Sequence, residues 1–166
     1  MSVRPILLLG DPRLRLPGAP VESFGKLLHS LLDDLAHTMR AAPGVGLAAP
    51  QLGEPLNVAV VEAKGKTYEL VNPRIVRDTG DQTDLEGCLS IPGYVAEITR
   101  KERVWVEAQD RTGRPYKFSE HGFLARAVQH ELDHLNGKLF IDYLKPMRRQ
   151  LSTRKMQKFK REQARS

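Results

Sequence analysis

The amino-acid sequence predicts an α+β fold: short, mostly antiparallel sheets packed around a central helix, with another helix at the C-terminus. Helix-periodic segments lie in both halves of the chain and short β-rich runs lie between them. The chain is 166 residues long, which favours a single domain over residues 1–166. Its composition, 40% hydrophobic and 28% charged, is typical of a globular protein and excludes extensive disorder.

The sequence contains no segment that predicts insertion into a membrane. No apolar run approaches the roughly 18 residues that a span needs, and the run at residues 5–9 is too short for a signal peptide. Cys88 is the only cysteine, so an intrachain disulfide is excluded and a reducing compartment is the simplest setting. We therefore expect a cytoplasmic protein with no membrane contact, and a monomer.

The net charge of +6 is unevenly distributed along the chain. Residues 145–166 contain nine Lys or Arg and one acidic residue, Glu162, whereas residues 1–144 contain seventeen basic and nineteen acidic residues. The C-terminal segment is therefore predicted to be a basic helix that either binds a polyanion or is simply a solvated charged helix.

The first helix is predicted from apolar residues that recur at three- and four-residue steps. It begins after Ser23, a suitable N-cap, and ends before Pro43, since proline disfavours helical conformation in the preceding residue. The apolar residues are Phe24, Leu27, Leu28, Leu31, Leu32, Leu35 and Met39. Residues 44–51 are small and apolar up to Gln51, so we expect a loop against a buried surface.

Six short β-rich runs separated by turn residues follow this loop. A turn at residues 110–113 joins the last two runs and predicts a hairpin, which indicates a mostly antiparallel arrangement. The runs cover residues 57–62, 67–71, 74–77, 94–99, 103–108 and 116–118.

Two more helices are predicted in the last third of the chain. One extends from Gly122 to Asn136-Gly137, a pair typical of helix C-termini. Residues 138–143 are predicted to form one more strand, and Pro146 suits the first turn of the last helix. That helix is weakly apolar. Its predicted anchors are Met147, Leu151, Met156 and Phe159.

The helix after Gly122 contains the sequence His130-Glu131-Leu132-Asp133-His134. Residues four apart lie on one helical face, about one turn apart, so His130 and His134 can direct ring nitrogens at one metal ion. The carboxylate of Glu131 lies beside them, where it can take a proton from a metal-bound water. A pair of surface histidines on an ordinary helix is the alternative.

The class of metal site depends on a third ligand. In metzincin peptidases the motif continues to a glycine and a third histidine, but here Phe140 stands at the histidine position after Gly137. A downstream glutamate is another arrangement, yet only Glu162 follows Glu131. Neither peptidase pattern fits. The upstream candidates are His29, His37, His121 and Cys88, whose thiolate would suit a soft or borderline metal.

Three segments together resemble the signature motifs of the peptide deformylase family, in the family's order. They are Gly44-Val45-Gly46-Leu47-Ala48-Ala49-Pro50-Gln51, Glu86-Gly87-Cys88-Leu89-Ser90 and Gln129-His130-Glu131-Leu132-Asp133-His134. The resemblance covers most of the chain, and the short spacing from Gln51 to Glu86 is similar to that of a compact, bacterial-type member.

The resemblance implies a metal-dependent hydrolase that removes the N-formyl group from the initiator formyl-methionine of newly synthesised polypeptides and releases formate. It implies that Cys88, His130 and His134 hold one divalent metal ion, ferrous iron, with zinc, nickel or cobalt able to occupy the site. These ligands alone do not select iron over zinc. Glu131 is then the general base for the attacking water and the acid for the leaving amine.

The resemblance also implies which groups surround the substrate. The side-chain amide of Gln51 and the backbone N–H of Leu89 are expected to stabilise charge on the formyl oxygen, together with the metal. Backbone groups near Gly46 are expected to pair with the extended peptide. Arg126 is expected only to pair structurally with an acidic residue. The methionine side chain is expected to contact Val45, Glu86, Phe123, Ala127 and His130, of which Phe123 and Ala127 could equally be helix core.

Two other functions stay open on the sequence alone. An H-E-x-x-H peptidase would cleave unformylated peptides. A module that docks on ribosomal RNA would show steep salt dependence and survive loss of the metal. Its cations would be Lys145, Arg148, Arg149, Arg154, Lys155, Lys158, Lys160 and Arg161. Such docking is compatible with the deformylase, because an enzyme acting on nascent chains gains from lying near the ribosome.

Overall fold

The computed structural model describes residues 2–165 and confirms the predicted α+β class. Over these residues the strands are β1 (Gly46–Ala48), β2 (Val58–Ala63), β3 (Lys66–Thr79), β4 (Gln82–Cys88), β5 (Ile91–Arg100), β6 (Arg103–Gln109) and β7 (Pro115–His121). The α-helices are α1 (Lys26–Ala41), α2 (Gly122–Leu135) and α3 (Pro146–Arg165). Short 3₁₀ helices cover Pro12–Arg15, Ala49–Leu52 and Phe140–Tyr143.

The strands form two antiparallel sheets. Five of them lie in the order β1-β2-β3-β6-β7, while β4 pairs with β5. The predicted hairpin of β6 and β7 is confirmed. In its turn, the Asp110 carboxylate accepts hydrogen bonds from the backbone N–H groups of Thr112 at 2.8 Å and Arg114 at 3.0 Å, which fixes the turn by an Asx-type contact.

Helices cover both faces of the larger sheet at β2. Successive side chains of a strand face opposite sides, so residues 58–61 of β2 are all apolar because both sides are buried. Val58 and Val60 pack in the cluster that contains α1, and Ala59 and Val61 pack in the cluster that contains α2. A third cluster joins β5, the Phe140–Tyr143 turn and α3. The smaller sheet therefore carries the C-terminal helix, and α2 occupies the centre.

The start of α1 differs from the prediction. The N-cap is Gly25 rather than Ser23, and the helix ends at Ala41, before Pro43 as predicted. Leu27 is 91% exposed. It lies outside the apolar stripe of α1 that faces the sheet. The other predicted leucines of this helix and Met39 are buried.

Between residues 44 and 88 the structure differs from the prediction in three respects. Residues 67–71 and 74–77 form one strand, β3, which continues through a bulge; Asn72 adopts a positive φ of 48° there and accepts a hydrogen bond from the Val21 backbone at 2.8 Å. The expected loop at residues 44–51 contains the edge strand β1 and a 3₁₀ turn. The strand β4 was not predicted, since most of its residues are polar and only Glu86 within it is buried.

The C-terminal region contains two further corrections. Residues 138–143 do not form the predicted strand: Phe140–Tyr143 are a 3₁₀ helix, and the Asp142 carboxylate accepts the N–H of its N-cap residue Leu139 at 3.0 Å. In α3, Met156 is buried, but Met147 and Leu151 are 76% and 47% exposed. Ser152 is fully buried instead, so the helix approaches the body through a small residue. No helix within residues 2–165 is long and apolar enough to cross a membrane.

Candidate metal centre

Three potential metal ligands meet where the end of β4 contacts α2. Cys88 is the last residue of β4, and His130 and His134 lie one turn apart on α2. Their ligand atoms all lie within 4.8 Å of one another. Among the upstream candidates in the described chain, the structure therefore brings Cys88 to the histidine pair; His29 instead contacts the Arg111 carbonyl at 2.7 Å.

The spacing of these atoms fits a tetrahedral metal site. Cys88 Sγ lies 3.4 Å from His134 Nε2, which lies 3.3 Å from His130 Nε2. Tetrahedral bonds of normal length place a sulfur and a nitrogen ligand about 3.5 Å apart and two nitrogen ligands about 3.3 Å apart. With three protein ligands, one tetrahedral position would remain for water or substrate, as in catalytic rather than structural sites.

A buried carboxylate fixes the orientation of His130. Glu86 Oε2 lies 2.6 Å from His130 Nδ1, so this nitrogen carries the proton and Nε2 faces the cluster. Arg100 donates to both Glu86 oxygens, and Arg126 donates to Oε1 at 2.9 Å. Burial alone would raise the pKa of Glu86, but the hydrogen bonds from His130 and Arg100 lower it to about 2. Glu86 is therefore a permanent carboxylate.

The electrostatic environment distinguishes the two histidines. Burial, and then the charge of His130, lowers the pKa of His134 well below its usual value, which favours the neutral form that binds metals. Burial also opposes a charge on His130, but the contact with Cys88 and then the carboxylates of Glu131 and Glu86 outweigh it and raise that pKa. A metal ion must therefore displace a proton when it binds.

Glu131 lies beside the ligands in a confined space. Its side chain is buried, and its Oε1 atom has no hydrogen-bond partner among the described residues. Burial, partly opposed by the charge of His130, raises the pKa of Glu131 to about 7. The β1 backbone approaches so closely that a Cβ added at Gly46 would collide with the Glu131 carboxylate. Only glycine at position 46 leaves this carboxylate in place.

Gln51 directs its amide nitrogen at the site. The side chain is 1% exposed, and its Oε1 accepts the Ala48 backbone N–H at 3.0 Å. A backbone N–H can only donate, so this contact assigns the amide orientation and leaves Nε2 as the group that faces the cluster. Nε2 donates to Ser90 Oγ at 3.0 Å and lies 3.7 Å from Cys88 Sγ. Leu89 and Ser90 form the turn between β4 and β5.

A largely apolar cavity of about 580 Å³ opens next to the ligands. It is bounded by β1 on one side, the β4–β5 hairpin on another and the first turns of α2 at its base. The predicted site residues that line it are Val45, Gly46, Gln51, Glu86, Cys88, Leu89, Phe123, Ala127, His130 and Glu131. His134 lies behind this surface and is 1% exposed.

Two features of the cavity wall were not evident from the sequence. Glu86 lines the cavity as expected, and its carboxylate is bound by the two arginines and His130. Arg126 has the structural pairing that we expected of it. The sequence did not indicate Leu85 and Val95, which are about 60% exposed at the cavity. A sequence analysis that had identified the β4–β5 hairpin would have placed Leu85 and Val95 at the cavity.

The fold and the site together define a class of protein, a metal-dependent hydrolase with an H-E-x-x-H helix and a cysteine as third ligand candidate. The family model described as polypeptide deformylase matches residues 3–150. A peptide deformylase of Heliobacterium modesticaldum is 51% identical over 142 residues, which are 86% of this chain and 94% of that protein.

Solved structures agree with this match. A peptide deformylase from Legionella pneumophila superposes with a TM-score of 0.95 at 46% identity, covering 99% of both chains. One from Ehrlichia chaffeensis in complex with actinonin has a TM-score of 0.94 at 37% identity, covering 97% of this chain and 99% of that one. This chain belongs to the polypeptide deformylase family, and it is an enzyme.

Replacing Glu86 by Gln is expected to weaken metal binding by about 10–100-fold, because the group that orients His130 loses its charge. The measurement is the rate at which a chelator removes the metal from the purified protein, with thermal denaturation recorded in parallel. The control is Glu107→Gln, which removes a carboxylate paired with Arg74 on the exposed sheet surface. Equal rates of metal loss from Glu86→Gln and the wild type would contradict the role assigned to Glu86.

Proposed function

We propose that this enzyme hydrolyses the N-formyl group of formyl-methionine at the start of newly made polypeptides and releases formate. The observation that carries the proposal is the arrangement at the cavity: three converging ligands, an unpartnered buried carboxylate and an amide donor all face one apolar space. A formyl group on the N-terminal amine of a peptide would contact all of them when the apolar side chain of the peptide's first residue occupies the cavity.

The ligands of the single divalent metal ion in this proposal are Cys88, His130 and His134. Their spacing and chemistry fit such an ion, and Fe²⁺ is the one that we propose from the family resemblance; Zn²⁺, Ni²⁺ and Co²⁺ suit the same donors. When bound, a metal at such a site lowers the pKa of a water and polarises a carbonyl oxygen.

Glu131 moves the protons in the proposed reaction. Its carboxylate accepts a proton from the attacking water and then donates it to the amine that leaves when the formyl C–N bond breaks. A pKa of about 7, raised by burial, suits both steps near neutral pH. The close approach of Gly46 keeps the carboxylate over the cluster, which limits the reorganisation needed during the reaction.

Gln51 and Leu89 stabilise the charge that develops on the formyl oxygen. The Gln51 amide is held by Ala48 and Ser90, so its N–H group is oriented before substrate binds. The backbone N–H of Leu89 is the second donor, from the turn that follows Cys88. A donor that is already in place costs no reorganisation energy at the transition state.

The cavity supplies the specificity. We assign the methionine side chain to the apolar surface of Val45, Phe123 and Ala127, which suits a thioether. The peptide itself extends along the edge strand β1, where backbone groups at Gly46 have no further neighbouring strand in the described sheet. Glu86 contributes indirectly, by holding His130.

An H-E-x-x-H peptidase is the alternative enzyme. Its patterns use a third histidine or a downstream glutamate as ligand, whereas the third candidate here is Cys88. Formate release and cleavage of an unformylated peptide of the same sequence, measured side by side, distinguish the two.

The direct test of the proposal is formate release from a formyl-methionyl tripeptide by protein purified without oxygen and loaded with Fe²⁺. Glu131→Gln should lose at least about 100-fold in turnover, since it cannot accept the proton, while keeping the metal. Full activity in Glu131→Gln would refute its role as the base. Absence of formate from the metal-loaded wild type would refute the deformylase function.

Gln51→Ala is expected to lower kcat by about 10²–10³-fold, or about 3–4 kcal/mol, because one oxyanion donor is lost. The measurement is steady-state formate release at matched metal content. Ser90→Ala is the companion variant, since it removes the partner that holds the Gln51 amide but leaves the amide present. We expect a smaller loss for Ser90→Ala; equal activity of Gln51→Ala and wild type would contradict the assignment.

We also propose that α3 docks the enzyme on the ribosome. The helix is held to the body by Ser152 and Met156 and by a hydrogen bond from the Tyr94 hydroxyl to the Arg148 carbonyl at 3.2 Å. Lys160 donates to the Leu9 carbonyl. The exposed cations that remain for a polyanion include Arg149, Arg154, Lys158 and Arg161.

Neutralising α3 is expected to weaken co-sedimentation with ribosomes at low salt while formate release from a free peptide stays unchanged. Deletion of residues 148–166 would also remove buried Met156, so the sharper variant is the triple substitution of Arg154, Lys158 and Arg161 by Gln. The control is the triple substitution of the exposed Lys26, Arg114 and Lys138 by Gln. If both triple variants sediment alike, α3 is not the docking element.

A further inference from the structure

One surface of the larger sheet takes no part in the proposed active site. On β6, Val104, Val106 and Ala108 are buried towards α2, so the residues that alternate with them face the opposite side. There α1 covers β1, β2 and Val71 of β3, while the residues of β3 from Arg74 onward, and those of β6 and β7 on this side, are exposed or half-buried. Strand pairing places nine side chains on this side in three rows: Arg74–Glu107–Lys117, Arg77–Trp105–Ser119 and Thr79–Arg103–His121.

The charge of this surface is positive. It contains four permanent cations, Arg74, Arg77, Arg103 and Lys117, and one carboxylate, Glu107, which is bound to Arg74 at 3.1 Å. Within residues 2–165 no acidic group pairs with Arg77 or Arg103. Residues 1–144 as a whole contain slightly more acidic than basic residues. The excess of positive charge on this surface is therefore local.

At the centre of the surface lies Trp105, the only tryptophan of the chain. Its ring is half-buried, and the guanidinium carbons of Arg77 and Arg103 lie 4.4 Å and 5.2 Å from the ring centre. A wide aromatic ring on an open sheet, next to cations without carboxylate partners, is the combination that binds bases by stacking and phosphates by charge.

We propose that this surface, which we call the cationic sheet face and define as Arg74, Arg77, Arg103, Trp105 and Lys117, binds single-stranded RNA. Phosphates lie at the arginines and the lysine, and one base stacks on Trp105 by displacing a guanidinium group that lies over the ring. Single-stranded RNA fits better than a duplex, because a duplex keeps its bases stacked and offers none to the indole. The face lies on the opposite side of the sheet from α2, so bound RNA leaves the cavity accessible.

This binding is independent of the proposed reaction, because none of the five residues lines the cavity or contacts the three potential metal ligands. It also differs from docking through α3, which presents cations but no tryptophan. RNA should therefore bind with the same affinity to the metal-loaded and the metal-free protein, and loss of RNA binding should leave formate release unchanged.

The test uses the intrinsic fluorescence of Trp105 in the full chain, titrated at low salt with a single-stranded oligoadenylate of about twelve nucleotides, within the length range that such sites contact. Because no other tryptophan is present, a change in its emission reports on this face alone. We expect saturable quenching whose association constant falls with salt, with a logarithmic slope of about −2 to −3 for three to four phosphate contacts.

Variants locate the binding surface. The double substitution Arg77→Ala with Arg103→Ala should weaken the binding seen by quenching by about 10-fold or more and make the salt slope less steep by about 1.4. Lys117→Ala, which leaves the contacts of Trp105 intact, should weaken it by a smaller factor. The charge-matched control, Arg154→Ala with Lys158→Ala on α3, should quench with the wild-type affinity.

Three results would overturn the proposal. One is the absence of saturable quenching of the wild type at low salt. Another is equal quenching by heparin or by duplex RNA, which would indicate a general polyanion patch without base stacking. The last is an equal loss of affinity in the α3 control and in the Arg77/Arg103 variant, which would place the binding on α3.

Discussion

The buried contact of Glu86 with His130 is the interaction on which the candidate metal centre depends. It joins β4 of the smaller sheet to α2, and two residues after Glu86 the same strand supplies Cys88. Two arginines, Arg100 and Arg126, balance the charge of the carboxylate, and Arg100 also donates to Asp133 on the neighbouring turn of α2. Burying such charges is costly unless all of them are paired. The pairing therefore sets the position of the hairpin relative to the helix, and with it the distance from Cys88 to the histidines.

The larger sheet imposes a second constraint from the opposite side of the cavity. The edge strand β1 brings Gly46 against Glu131, and the turn after β1 brings the amide of Gln51 to Cys88 and Ser90. A buried carboxylate with a raised pKa and an oriented amide are thus held by different elements around one cluster. The Gln51 amide is oriented by its hydrogen bonds to Ala48 and Ser90, whereas the Glu131 carboxylate is confined by the close approach of Gly46.

Much of the site could be predicted from the sequence, because H-E-x-x-H at helical spacing is a local pattern and the three motifs together resemble one family. The network around Glu86 could not, since Arg100 and Arg126 reach it across 14 and 40 residues of sequence with no local signal. The strand β4 was missed because it is polar and is stabilised by its pairing with β5 rather than by burial. Residues 138–143 have a strand-like composition, but the Asp142 side chain stabilises a 3₁₀ turn at Phe140–Tyr143. In α3, Ser152 and Met156 are buried, whereas the predicted anchors Met147 and Leu151 are exposed.

The central claim is that Cys88, His130 and His134 form one metal site, and the absorption spectrum of the protein loaded with Co²⁺ tests it most directly. The account predicts one Co²⁺ per chain, with the visible bands of a tetrahedral ion and a near-ultraviolet band from thiolate to cobalt. Cys88→Ser should lose the near-ultraviolet band and bind the ion more weakly. A Cys88→Ser protein with the wild-type spectrum, or a wild type that binds no Co²⁺, would contradict the account.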